Sequence, residues 1–316
     1  MGYVHGLLSA LLFGANGSVA KLVIQAGIDP AQLTFFRCLG AALLAGGFVL
    51  AQNRGGLRVS RRTLLGCALL GVAGIAATQW LFAVAIELLP VGITLLIQYF
   101  AVPIVAVVAW LALQEHVRAR LWVAIGLVVA GMAVVAQVGA APLDALGVLA
   151  AAGAAVALAA YFLLGERGVA AAPPLVVAFW SMLFAALFWA VPSGWWRVSP
   201  SALAAPLPLE PGVPIPLWAG LLWVIALGSF ASYALSYLAI RRLGATRAGI
   251  LAAAEVVFAF AVAWLWLGEA LTAPQTIGAA IVLAGILVAQ SARPRTATAI
   301  DADLALVPEG GVGGRS

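Results

Sequence analysis

The sequence predicts an all-α integral membrane protein, with ten transmembrane helices arranged as two inverted five-helix repeats. Three observations predict it. The composition is too apolar for a water-solvated surface, arginine is confined to alternate gaps between apolar runs, and the chain repeats itself with a unit of five runs. Of 316 residues, 65% are apolar and 9% charged, and the mean hydropathy is +1.13. A soluble domain carries roughly 25% charged residues, so lipid must solvate most of this chain. The net charge of +5 does not mark a nucleic-acid binder, because its arginines sit in short gaps and build no basic face. Cys38 and Cys67 both fall inside apolar runs, where small buried residues are expected and a disulfide framework is not. The N-terminus lacks the basic start of a removable signal peptide.

Runs of spanning length cover 4–26, 31–51, 64–86, 91–113, 121–138, 145–165, 174–192, 217–239, 247–267 and 274–291. Breakers or charges separate them, among them Asp29-Pro30, Pro90, Pro142, Pro173-Pro174 and Gly268-Glu269. The second gap holds Arg54, Arg58, Arg61 and Arg62, the fourth Arg118 and Arg120, the sixth Arg167, and the eighth Arg241 and Arg242, with Arg247 at its edge. The tail adds Arg293, Arg295 and Arg315, whereas the odd gaps hold Arg197 and little else. By the positive-inside rule the even gaps and both termini are cytoplasmic, which requires an even number of crossings. The seventh gap, 193–216, carries Pro200, Pro206, Pro208, Pro211, Pro214 and Pro216 and is expected outside as an extended, poorly packed connection. Residues 292–316 read as a disordered cytoplasmic tail.

Val-Ala-Trp-Leu-Ala-Leu-Gln-Glu (108–115) matches Val-Ala-Trp-Leu-Trp-Leu-Gly-Glu (262–269). Without a gap, Ala130-Gly131 then falls on Ala284-Gly285 and Val134 on Val288, and upstream Ala85-Ile86 falls on Ala239-Ile240. Runs four and five thus match nine and ten, which divides the chain into repeats 1–139 and 140–291. Because five is odd, the second copy crosses the membrane in the opposite sense. Glu115 is then cytoplasmic and Glu269 outside, in agreement with the arginine distribution. Inverted halves suit a carrier, with substrate near the midplane where they meet.

Several short motifs give the chain a family resemblance. They are Phe13-Gly14-Ala15-Asn16 with Lys21, Arg37, the Leu-Gln-Glu and Leu-Gly-Glu endings of runs four and nine, the glycines Gly126, Gly131, Gly278 and Gly285, and Ala254-Glu255. In these it resembles the EamA-type members of the drug/metabolite transporter superfamily over nearly its whole length. Val256 stands where that family commonly has proline after the glutamate, so a kink there is not expected from the sequence. The resemblance implies ten helices, cytoplasmic termini, a central cavity and export of amino acids or related metabolites.

Glu255 lies midway along run nine, where a carboxylate must be protonated, paired or facing water. It suits a substrate-amine or proton site; the bland reading is a hydrogen bond between helices. Lys21 and Arg37 are candidate charge partners. Lys21 could instead snorkel outward, and Arg37 could fix a helix end or hold a substrate carboxylate. Asn16, Ser18, Gln79, Trp80, Gln98, Tyr99, Tyr161, Trp180 and Ser181 are expected to line a cavity or to glue helices. In run eight, Ser229, Ser232, Tyr233, Ser236 and Tyr237 are spaced by three, one, three and one and share one stripe, which should face away from lipid.

Trp195 and Trp196 read as an interfacial belt. His5 and His116 have no second ligand at metal spacing, and there is no phosphate loop or catalytic triad. The expectations are therefore a non-enzymatic carrier in the cell membrane with no cofactor and no metal, contacting small-molecule substrate and membrane lipid but no nucleic acid, with a homodimer left open. An intramembrane enzyme acting on a lipid-linked substrate, or a non-transporting scaffold, are the alternatives.

Overall fold

The computed structural model describes residues 2–53, 56–101, 104, 108, 119–137, 143–208, 214–236, 238–239, 251, 254–270 and 272–291. The helices that carry the argument are α1 (Gly2–Gln25), α2 (Pro30–Gln52), α3 (Arg61–Leu88), α4 (Val91–Gln98), α5 (Ala119–Gln137), α6 (Ala145–Ala171), α7 (Pro174–Trp189), α8 (Leu217–Ser236), α9 (Ala254–Leu267) and α10 (Ala273–Ser291). No strand occurs among the described residues. Five of these helices are long and apolar enough to cross a bilayer. Large apolar side chains face outward, Leu65 at 72% exposure and Leu149 at 69%, as expected where lipid is the solvent.

Local chemistry sets the helix starts. Pro30 occupies the first turn of α2, where its missing N–H costs nothing. Asp29 accepts from Ala31 N–H at 2.8 Å, and Gln32 accepts from Asp29 N–H at 3.1 Å, a capping box. Asp144 caps α6 through Gly147 N–H at 2.9 Å, and Ser60 caps α3 through Thr63 N–H at 3.1 Å.

The extensive helix contacts run between the repeats. α5 packs on α10, α2 on α7, α1 on α8 and α9, and α6 on α3 and α4. Exchanging each helix for its partner five places along maps this set onto itself. The directions also agree with an inverted repeat. Phe35, near the start of α2, stacks on Trp195 beyond the end of α7, with ring centroids 5.7 Å apart. Gly46, a few turns on, meets Phe179 near the start of α7. The equivalent helices α2 and α7 therefore run antiparallel.

One feature leaves only a faint mark in the sequence, two glycines that coincide at the repeat offset. α3 and α8, equivalent members of the two repeats, each open into a π-helical turn, over Leu70–Ala76 and Ala226–Ala231. Gly74 and Gly228, which fall on each other in the repeat alignment, lie in these turns. Gly74 seats the backbone of Tyr161 on α6, and Gly228 seats the side chain of Asn16 on α1. Each turn is thus the point where the third helix of one repeat receives the first helix of the other. Side chains take up carbonyls around the widened turns: Ser232 Oγ donates to Leu227 O at 2.6 Å, and Trp189 Nε1 to Ala76 O at 3.4 Å. Such turns concentrate at functional positions.

The described parts of the 193–216 connection, 193–208 and 214–216, are packed rather than extended. Short helical turns form at Trp195–Arg197 and Pro200–Leu203. Leu207 N–H donates to Ile215 O and Leu217 N–H to Ala205 O, each at 2.8 Å. Leu207 is buried with the core side chains of α1 and α8. Proline fixes its own φ, and the buried Leu207 supplies an anchor that the proline pattern alone does not reveal.

Candidate functional site

Three polar centres lie on the surface where the two repeats meet. The first joins α2 to α8. Arg37 is 4% exposed, and its Nε donates to Ser229 Oγ at 3.3 Å. Ser229 follows Gly228, so the π turn places the hydroxyl that receives the guanidinium. Tyr233, one turn further along, packs edge-on to Phe13 at 5.2 Å and to Tyr161 at 6.3 Å. α1, α6 and α8 therefore bring Phe13, Tyr161 and Tyr233 together.

The second centre joins α4 to α9. Tyr99 Oη donates to Glu255 Oε2 at 2.7 Å. Gly14 of α1 lies against the backbone of this acid: a Cβ built there would stand 2.7 Å from Glu255 O and 2.8 Å from Ala259 N. Close approach of α1 thus fixes the height of Glu255. Where the sequence allows a bare carboxylate or a bond between helices, the structure supplies the bond, and its partner is a phenol rather than Lys21 or Arg37.

The third centre is the end of the bundle that carries Glu269. Lys21 Nζ contacts Glu269 Oε1 at 2.5 Å and donates to Leu89 O at 2.9 Å. Glu269 Oε2 accepts from Val91 N–H at 2.9 Å. Lys21 is therefore ion-paired across the repeats and does not snorkel. Two cavities adjoin this pair. One of about 420 Å³ is lined by Lys21, Gln25, Pro208 and residues 264–269. One of about 90 Å³ is lined by Pro90, Gly92, Ile93, Phe260, Ala263, Glu269 and Ala270.

Several buried polar atoms have no hydrogen-bond partner among the described residues: Asn16 Oδ1, Ser18 Oγ, Thr78 Oγ1, Gln98 Oε1 and His5 Nδ1. An unsatisfied buried polar group costs about 1–3 kcal/mol. Water or a solute between the helices would remove that cost.

Other expected lining residues make contacts outside these three centres. Trp180 Nε1 donates to Leu57 O at 2.9 Å, which ties α7 to the loop before α3. Trp80 packs on Trp189 at 5.2 Å. Ser181 Oγ returns to Val177 O in its own helix at 2.7 Å. Ser232 also receives Ser9 Oγ at its carbonyl, 2.9 Å away. Gln79 and Ser236 are half-buried. Tyr237, His116 and Glu115 lie outside the described residues. Cys38 and Cys67 are both buried free thiols. No group of three metal-ligating side chains exists among the described residues.

The sequence profile of the EamA-like transporter family matches residues 1–137 and again 145–290. The chain belongs to the EamA-like transporter family. The double match falls on the two repeats recognised in the sequence, and the EamA-like chain is accordingly a multi-pass membrane protein of a transporter family. One solved crystal structure of a protein is similar over 91% of this chain and 96% of its own, with a TM-score of 0.57 and 20% identity, a likeness of fold alone. Among curated proteins none matches this EamA-like sequence.

Glu269 and the paired π turns are features of the candidate site that the sequence reading did not single out. Glu269 was visible as the repeat mate of Glu115, but its partners are distant in sequence. The π turns had one signal, the coincidence of Gly74 with Gly228 at the repeat offset.

Proposed function

We propose that this protein is a secondary carrier that exports small metabolites, amino acids or related amphipathic compounds, by alternating access between its two repeats. The observation that carries the reading is where the polar bonds lie. Among the described residues, Arg37–Ser229, Tyr99–Glu255, Lys21–Glu269, Ser9–Ser232, Trp180–Leu57 and Trp189–Ala76 all cross from one repeat to the other. A purely structural membrane bundle needs no such concentration of polarity at one seam, because small residues and apolar packing hold helices together in lipid. A seam that must part and wet in alternate halves needs polar groups there.

In this reading ten helices cross the cell membrane and both termini are cytoplasmic. Substrate binds at mid-depth, where Arg37 offers a donor fork to a carboxylate and Glu255 an acceptor to an amine. The Tyr99 hydroxyl competes with a substrate amine for Glu255. An intramembrane enzyme is less well supported, because Glu255 bonds to a tyrosine and not to Lys21 or His5 among the described residues.

The test is efflux from proteoliposomes with and without an imposed pH gradient. We expect a gradient to accelerate wild-type efflux. Glu255→Gln, which keeps the shape and loses the titrating group, should abolish that acceleration. Equal acceleration in the variant removes Glu255 from coupling.

A further inference from the structure

The corner between α3 and α4 exposes two sets of unsatisfied backbone groups, carbonyls at the end of α3 and N–H groups at the start of α4. Pro90, which precedes α4, provides no side-chain cap. Both needs are met from elsewhere. Lys21 of α1 reaches the Leu89 carbonyl, and Glu269 of the second repeat reaches the Val91 N–H. Each charge sits at the helix end whose dipole it complements, the cation at a C-terminus and the anion at an N-terminus. The two then pair with each other. Glu269 is aimed by the turn before it: Gly268 has φ +63°, and Glu269 N–H closes back on Ala263 O at 3.3 Å. A left-handed residue here favours glycine.

Glu269 also borders two spaces. The larger cavity adjoins Gln25, Pro208 and the last turn of α9, at the very end of the bundle. The smaller one reaches past Pro90 to Gly92, Ile93 and Phe260, deeper between α4 and α9. Glu269 lines both. Its side chain is 18% exposed and that of Lys21 12%. A pair at this depth can part into a wet vestibule with a modest change in solvation, which a fully buried pair cannot.

We propose that the Lys21–Glu269 pair, clasped on the Leu89–Pro90 corner, is the outer gate of the transport path, and that Glu269 is the positioning residue that holds the outer-closed state. The proposal rests on the carrier reading and on the orientation that places Glu269 outside. Opening breaks one ion pair and frees both helix ends to water in the same step.

The test uses the full chain in vesicles, with Cys38→Ala and Cys67→Ala removing the native thiols and Ile93→Cys as the reporter below the pair. A membrane-impermeant maleimide is applied from the Glu269 side. Glu269→Gln is expected to raise the labelling rate of residue 93 by about tenfold, whereas Lys21→Arg, which keeps the pair, should stay within about twofold of the parent. Should Glu269→Gln not reach the vesicles folded, Lys21→Met breaks the same pair from the other side and must give the same gain. Unchanged labelling on loss of the pair overturns the gate, as does an equal gain with Lys21→Arg. Labelling needs no substrate. A gain in vesicles that move no solute would therefore keep the gate and remove the carrier, and flux with unchanged labelling would do the reverse.

Discussion

Gly14→Ala is expected to destabilise the protein by about 2 kcal/mol, within the range for overpacking a well-filled interior, while Gly47→Ala should stabilise it by up to about 1 kcal/mol. Both are helical glycines and both gain one methyl group. At Gly14 the new Cβ meets Glu255 O at 2.7 Å and Ala259 N at 2.8 Å, both backbone atoms of α9. Backbone cannot rotate away, so α1 and α9 must separate. At Gly47 nothing lies within 4 Å, and the methyl group merely removes the entropic cost of glycine in a helix. Thermal unfolding in detergent reads both. A shared sign would show that α1 and α9 are not held as closely as Gly14 requires. Because α1 sets the height of Glu255, Gly14→Ala should also slow transport beyond its effect on the folded fraction.

Arg37→Met is expected to separate fold from function most sharply. Arg37 is 4% exposed, and its guanidinium meets the Ser229 hydroxyl. Loss of one member of a buried ion pair is costly because it strands the opposite charge; Arg37 has no carboxylate partner among the described residues, so its removal strands none. The Ser229 hydroxyl it leaves can turn to a carbonyl of its own helix. The melting midpoint should therefore change little, equivalent to less than about 1 kcal/mol, while transport falls at least about tenfold through loss of a substrate contact. A large loss of stability with normal transport per folded molecule would make Arg37 a structural pin of α2 against α8.

Much of the architecture was legible because lipid imposes a simple rule. A backbone in hydrocarbon must be helical, so apolar run length marked α1, α2 and α3 to within a few residues. The repeat was legible because Trp and Glu matches stand out against Ala and Leu. Glu255 was legible as an acid within an apolar run, yet its phenol partner was not, since Tyr99 is distant in the chain and the pairing depends on how α4 meets α9. Lys21 shows the same limit. Its position in α1 allows snorkelling or pairing, and Gly268 decides between them by turning Glu269 back toward the corner. The π turns escaped because an inserted turn changes registry without changing hydropathy. The packing of 193–208 was not legible because proline density describes backbone stiffness and says nothing about whether Leu207 finds a core.

Alternating access requires the polar seam between the repeats to open to each side of the membrane in turn. Sided labelling of Ser229→Cys in the Cys38→Ala, Cys67→Ala background tests it most directly, because position 229 lies on that seam at 1% exposure. With an impermeant thiol reagent, the account predicts slow labelling from both sides, in right-side-out and in inverted vesicles, and protection on one side when transport is locked by cross-linking. A residue that stays unlabelled from both sides, in protein that is folded and inserted, would show a seam that never wets and would contradict the account.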